Sequence, residues 1–214
     1  MMDKEVAILA LLWVIWCAVH SGMISMAATS YLKRRMGRGW RFYRLFYNLF
    51  AIVSLIPVIL YKFSLTGPAL FRWQGPMIAL RVLLLTLALL LFYAGTRHYD
   101  IQRLLGLQQI REGGTSALLT KTANLDATGV LGITRHPWYL AAILFIWAAW
   151  SELDPSILVT NTVLTAYLVV GTLLEERKLL LEYNGKYRRY QKEVSMLVPF
   201  KFLLAEFSRL RGWD

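Results

Sequence analysis

Long apolar runs constrain this chain more than any other feature. About 20 apolar residues suffice, at about 1.5 Å per helical residue, to cross a hydrocarbon core of about 30 Å. Five such runs are read: 6–29, 45–63, 77–95, 139–150 (short unless extended back to Gly129) and 155–174. The link 151–155 is so tight that the fourth and fifth runs are expected to form an antiparallel helical hairpin. The fold class is therefore all-α, a polytopic membrane protein with about five transmembrane helices.

Composition agrees and excludes other classes. The chain is 57% hydrophobic and 17% charged, where soluble domains carry about 25% charge. The net charge of +11 is bunched between apolar runs, unlike the stripe of a nucleic-acid binder, and no nucleic-acid partner is expected. Such hydrophobicity excludes disorder. The single cysteine, Cys17, excludes a disulfide scaffold or four-cysteine metal site, and no metal site is expected.

Charge also sets an expected topology. Residues 1–5 lack the positive start of a signal peptide, so the first run is expected to remain in the mature chain. Lys33, Arg34, Arg35, Arg38, Arg41 and Arg44 follow it and mark a cytoplasmic loop. With the N-terminus outside and the C-terminus inside, only Lys4, Lys62 and Arg72 of the 24 cations lie outside, with Arg81 inside the third span. Arg81 is expected to snorkel or to neutralise an internal carboxylate. The high pI thus reflects topology and contact with anionic membrane lipids.

Two segments stand apart. Residues 96–135, rich in Gly (Gly106, Gly113, Gly114, Gly129, Gly132), read as a functional cytoplasmic loop with one short helix near 100–107. Past the fifth span the chain reads as a C-terminal amphipathic helix. On it Glu176, Leu180, Tyr183, Tyr187, Tyr190 and Val194 recur at steps of three and four, placing a carboxylate above a tyrosine stripe. The domain reading is a three-helix membrane region, 1–95, and a core, 96–214.

Candidate chemistry gathers at two places. Thr134-Arg135-His136-Pro137-Trp138-Tyr139 enters the fourth span; Pro137 suits a first helical turn, and Arg135 and His136 sit where free N–H groups favour an anion. Glu175 and Glu176 stand where the fifth span leaves the membrane, at the unfavourable end of the helix dipole, and need compensation. An antiparallel hairpin lets the clusters meet. A cation and helix end opposite two carboxylates suit a zwitterionic ligand bearing a ribose.

These motifs, with Gly185-Lys186-Tyr187-Arg188-Arg189-Tyr190 and Val198-Pro199 beyond them, resemble the integral-membrane superfamily of isoprenylcysteine carboxyl methyltransferases and phospholipid N-methyltransferases over about residues 124–200. His20-Ser21 and the stretch from Arg41 to Asn48 are similar to NnrU-like proteins and to membrane methyltransferases of methanethiol. Ala141 stands where members often have Gly, and Leu131 where they often have Tyr, which bears on the shape of the pocket. No G-x-G-x-x-G of a soluble Rossmann-type methyltransferase is present.

The resemblance implies a methyltransferase using S-adenosylmethionine and a small-molecule or lipid-like acceptor. It implies catalytic Arg135, His136 and Glu176, and cofactor contacts from Arg135, His136, Pro137, Tyr139, Leu140, Glu175, Glu176, Tyr183 and Tyr187. The expected acceptor is a small thiol or other apolar molecule, with an isoprenylated or phospholipid acceptor as the alternative. In another class, His20, His98 and His136 would ligate haem, as the NnrU-like resemblance permits. His20, Ser21 and Ser25 read more readily as helix-packing hydrogen bonds than as acceptor groups. Glu176→Gln is expected to weaken cofactor binding without unfolding the chain.

Overall fold

The computed structural model describes residues 2–112 and 128–211. Gly113, Gly114 and Lys121 of the glycine-rich loop lie outside the described residues. The elements in chain order are α1 (Met2–Ile24), α2 (Met26–Met36), a 3₁₀ turn (Gly37–Phe42), α3 (Tyr43–Ser64), β1 (Phe71–Arg72), α4 (Met77–Thr96), α5 (Ile101–Leu105) and α6 (Leu107–Glu112). After the loop come α7 (Val130–Ile133), α8 (Pro137–Ala148), β2 (Glu152–Leu153), α9 (Pro155–Tyr183), α10 (Gly185–Glu193) and α11 (Phe200–Leu210). Among the described residues, four stretches are long and apolar enough to cross a membrane: Asp3–Ile24, Met26–Ser64, Met77–Thr96 and Pro155–Tyr183. This is the all-α architecture of an integral membrane protein. α8 has 12 residues, about 18 Å of helix, shorter than a hydrocarbon core.

Contacts group the chain into two compact units, each built from segments distant in sequence: 1–72, 99–121 and 152–164 in one; 73–98, 122–151 and 165–214 in the other. In the first unit, Leu9, Trp13 and Val58 form a buried core where α1 meets α3. Trp13 Nε1 donates to Thr160 Oγ1 at 3.0 Å, and Trp16 Nε1 to Ser54 Oγ at 3.1 Å. Each indole thereby spends its one donor inside an apolar contact.

The first apolar run is not one helix. Ser25 adopts an extended conformation and its hydroxyl accepts from the Ala28 backbone N–H, ending α1 and capping α2. The expected short helix is α5: Asp100 caps its start, and Gly106, at φ 89°, closes it. A Cβ at Gly106 would meet the Leu45 backbone nitrogen at 2.7 Å, so glycine alone admits the contact with α3. β1 and β2 pair antiparallel, with Arg72 opposite Glu152 and bridged to it at 2.9 Å.

In the second unit α4 packs on α8. The Trp138 ring lies over Gly95, where a Cβ would come within 2.2 Å of Nε1, and that nitrogen donates to the Phe92 carbonyl at 3.0 Å. Arg81 is held by backbone carbonyls, and among the described residues it pairs with no carboxylate: Nε donates to Ala148 O at 2.9 Å and Nη2 to Ala149 O at 3.0 Å. The end of α8 leaves carbonyls without helical partners at the negative end of the dipole, and a guanidinium satisfies both.

Within this unit α8 and the later part of α9 run antiparallel. Trp147 Nε1 donates to Thr165 Oγ1 at 2.9 Å, and the Tyr139 ring lies at Gly171, where a Cβ would stand 3.3 Å from Cε1. The helix expected to continue unbroken from Glu176 to Val194 is interrupted instead. Asn184, at φ 46°, separates α9 from α10. The backbone there adopts a region costly for most residues and tolerated by Asn. Tyr187 and Tyr190 consequently lie on a separate helix.

Candidate functional site

The site is built by four segments of the second unit. Residues 134–136 run alongside residues 195–196: Arg135 N donates to Ser195 O at 3.0 Å and His136 N to Met196 O at 3.2 Å. Thr134, fully buried, adds a hydroxyl bond to Met196 O at 3.1 Å. This strap holds Arg135 and His136 at the head of α8, where Pro137 occupies the first turn. Pro137 has no N–H to leave unpaired there.

Glu176 is the hub. Its Oε1 accepts from Arg135 Nε at 2.8 Å, His136 Nε2 at 2.8 Å and the Tyr187 hydroxyl at 2.5 Å. Its Oε2 accepts from Arg135 Nη2 at 2.7 Å and Gln191 Nε2 at 2.6 Å. A carboxylate offers about four lone-pair sites, so these donors saturate it. The Arg135 fork is bidentate, with both side chains 8% exposed. Arg135 Nη1 donates to the carbonyls of Gln191 and Val194. The guanidinium thus secures the end of α10 as well as Glu176, and most of its donors are committed inside the protein.

Each remaining site residue has a definite place. Tyr190, on the face of α10 that also carries Tyr187, donates its hydroxyl to Leu131 O at 2.6 Å. Tyr183 packs against the cluster of Tyr187, Tyr190 and Val194. Tyr139 stands edge-on to the His136 ring at 5.6 Å. Half-buried Leu140 begins the helical bonding of α8 through its N–H to His136 O. Burial, and for Tyr187 also its bond to the Glu176 carboxylate, raises both Tyr187 and Tyr190 well above the usual phenol range. Tyr187 therefore remains a neutral donor.

One nitrogen is left over. With Nε2 donating to Glu176, a neutral His136 presents Nδ1 as an acceptor, and among the described residues that buried atom has no hydrogen-bond partner. Glu175 Oε2 lies 3.8 Å from it, on a side chain 31% exposed. A buried ring nitrogen and a half-exposed carboxylate oxygen thus stand together at the edge of the cluster.

The meeting of Arg135 and His136 with the two glutamates is as the helical hairpin required. Gln191 and the strap 194–196 were missed. Gln191 sits one turn beyond Tyr187, a spacing that puts both on one face, whereas the strap is made of backbone groups and has no side-chain signal. The three histidines have different surroundings. His20 Nε2 lies 2.5 Å from the Tyr47 hydroxyl and its ring stacks on Trp16, His98 lies beside Gly129, and His136 is held by Glu176.

A set of apolar membrane-length helices and a buried arginine–histidine–glutamate clamp at one helical hairpin define a helical integral membrane protein with a polar site at a helix end. The chain belongs to the NnrU family: the family described as NnrU protein matches residues 8–205. It is similar to methanethiol S-methyltransferase 1 of Bradyrhizobium diazoefficiens, 30% identical over 159 residues, covering 72% of this chain and 54% of that protein. Similarity to the methanethiol S-methyltransferase of Pseudomonas deceptionensis is 42% over 67 residues, 31% of this chain and 25% of that one. The corresponding protein of Mycobacterium tuberculosis is 36% identical over 66 residues, covering 31% and 27%. The chain spans about half the length of the first of these relatives and about a quarter of the others. No solved structure matches it.

Proposed function

We propose that this protein is an S-adenosylmethionine-dependent methyltransferase whose acceptor is a small thiol, methanethiol first. The observation that carries the reading is the 159-residue similarity to a protein named for that reaction. The donor set fits the group. His136 Nδ1, orphaned among the described residues, and Glu175 Oε2 accept from an ammonium or ribose hydroxyl, and Tyr139, Leu140 and Tyr183 are its walls.

Bound there, S-adenosylmethionine would supply an electrophilic methyl carbon on a positively charged sulfur, for in-line transfer to an acceptor thiolate with S-adenosylhomocysteine as the leaving product. The chain's own residues orient and exclude water. Arg135, Tyr187 and Gln191 fix the Glu176 carboxylate. Glu176 fixes the His136 tautomer and ring plane, leaving Nδ1 toward Glu175. Arg135, His136 and Glu176 thus form the rigid base and Glu175 the ligand-facing group. No residue of the chain is required as nucleophile.

The topology follows the cation distribution. The N-terminus lies outside, Pro137–Ala148 serves as a fifth, short crossing, and the site faces the cytoplasm of a bacterial or archaeal inner membrane. Isothermal titration of the detergent-purified full chain with S-adenosylmethionine and S-adenosylhomocysteine tests the reading. Binding by the native chain, weakened by roughly 10- to 100-fold in Glu175→Gln, is expected if one charge-assisted hydrogen bond of about 1.5–3 kcal/mol is lost. A folded native chain that binds neither compound refutes it. An acceptor screen follows, from methanethiol to isoprenylcysteine and phospholipids.

A further inference from the structure

The first unit contains an apolar groove of about 440 Å³, lined by Gly22, Ala28, Leu32, Met36, Tyr43 and Phe46 among others. That volume falls within the range of about 300–1,000 Å³ found for small-molecule sites. Tyr43, the main polar side chain on its wall, spends its hydroxyl on the Met23 carbonyl at 2.7 Å. The groove therefore offers little to a polar ligand.

Its surroundings are the opposite. Lys33, Arg34, Arg35, Arg38 and Arg41 are exposed, and among the described residues none of them is in an ion pair. No Asp or Glu occurs between Glu5 and Asp100, so the segment carries no carboxylate of its own to answer them. Ala28, Leu32 and Met36 recur every four residues and form the groove face of α2. Lys33 and Arg35 flank that face at about one residue's rotation on either side. The helices bordering the groove belong to two membrane-length stretches, Asp3–Ile24 and Met26–Ser64, so a bilayer supplies its neighbours.

An apolar slot edged by cations that are in no ion pair among the described residues matches an amphiphile with one anionic end. We infer that this groove binds one acyl chain of an anionic phospholipid, with the headgroup phosphate held by Lys33, Arg35 and the neighbouring arginines. Charge alone would attract any anionic surface, whereas the groove makes a site. The two parts separate experimentally. A Cβ added at Gly22 meets no atom within 4 Å, so Gly22→Leu fills groove space while leaving every cation in place.

The experiment is native mass spectrometry of the detergent-purified full chain titrated with palmitoyl-oleoyl phosphatidylglycerol or the matching phosphatidylcholine. Phosphatidylglycerol is expected to bind at least tenfold more tightly. Replacing Arg34, Arg35 and Arg38 together by Gln should bring its affinity down to that of phosphatidylcholine. Gly22→Leu should weaken it at least tenfold despite unchanged charge. Should Gly22→Leu melt far below the native chain, Ala28→Phe carries the same test, because α2 has no buried residue whose packing it would disturb. Equal affinity for both lipids, or unchanged phosphatidylglycerol binding in a folded groove-filled variant, overturns the inference.

Discussion

Glu176→Gln keeps the side-chain shape and removes the charge, and the structure fixes what that does. In one amide orientation the new NH₂ faces Arg135 Nη2 and Gln191 Nε2; in the other it faces Arg135 Nε, His136 Nε2 and the Tyr187 hydroxyl. Either way donors meet donors, and Arg135, 8% exposed, keeps its charge with no counter-charge beside it. Breaking one partner of a buried pair costs about 3–5 kcal/mol. At roughly 2–4 °C per kcal/mol for a chain of this size, the melting temperature should fall by about 6–20 °C. The assay is thermal unfolding of the detergent-purified chain, followed by ellipticity at the helix band. Glu175→Gln is the internal control. Its side chain is 31% exposed, and its stability should stay within about 0.5 kcal/mol of native while ligand binding weakens by roughly 10- to 100-fold. Arg135→Met combined with Glu176→Leu should melt above the single variant, because no charge is then left stranded. A Glu176→Gln chain that melts with the native one would refute the hub. The saturated carboxylate also means that lost ligand binding in Glu176→Gln reports the fold of the site before it reports a contact.

Three other consequences are measurable. Gly95→Ala must displace the Trp138 ring, with its Cβ position 2.2 Å from Nε1, and should cost at least the 1–3 kcal/mol or so typical of overpacking, read as a lower melting temperature and shifted tryptophan emission. Asn184→Val places a branched side chain at φ 46° and should destabilise by about 1–2 kcal/mol in the same assay, loosening α10 from Glu176. In alkaline absorbance titration Tyr187 and Tyr190 should stay unionised above the ordinary phenol value of about 10. Their folded-state values are raised, so the stability they contribute is whole below about pH 10 and declines as pH rises through the folded values; Tyr187→Phe should remove one late-titrating phenol.

Much of the architecture was legible because a bilayer leaves few options. Runs such as 45–63 and 77–95 must be helices to satisfy their own backbone, and α3 and α4 cover them. The tight link 151–155 let α8 and the later part of α9 run antiparallel, which with the 194–196 strap brought Arg135 and His136 to Glu176. Local chemistry was weaker where two helices could equally have been one. Ser25 lies inside an apolar run, and its capping of α2 depends on where the chain must turn. Asn184 interrupts a face-true 3–4 repeat because the tyrosines of α10 must fold back onto the carboxylate.

Residue type alone determined that this chain is a helical membrane protein with an arginine and a histidine before one apolar run and paired glutamates at the end of the next, since hydrophobic length and charge placement are properties of the linear chain. Tertiary structure decided which glutamate is saturated by donors and which is half-exposed. Glu175 and Glu176 are adjacent and chemically identical, but successive helical residues point about 100° apart. One therefore turns into a nest of donors, and the other faces outward beside His136 Nδ1, which has no hydrogen-bond partner among the described residues.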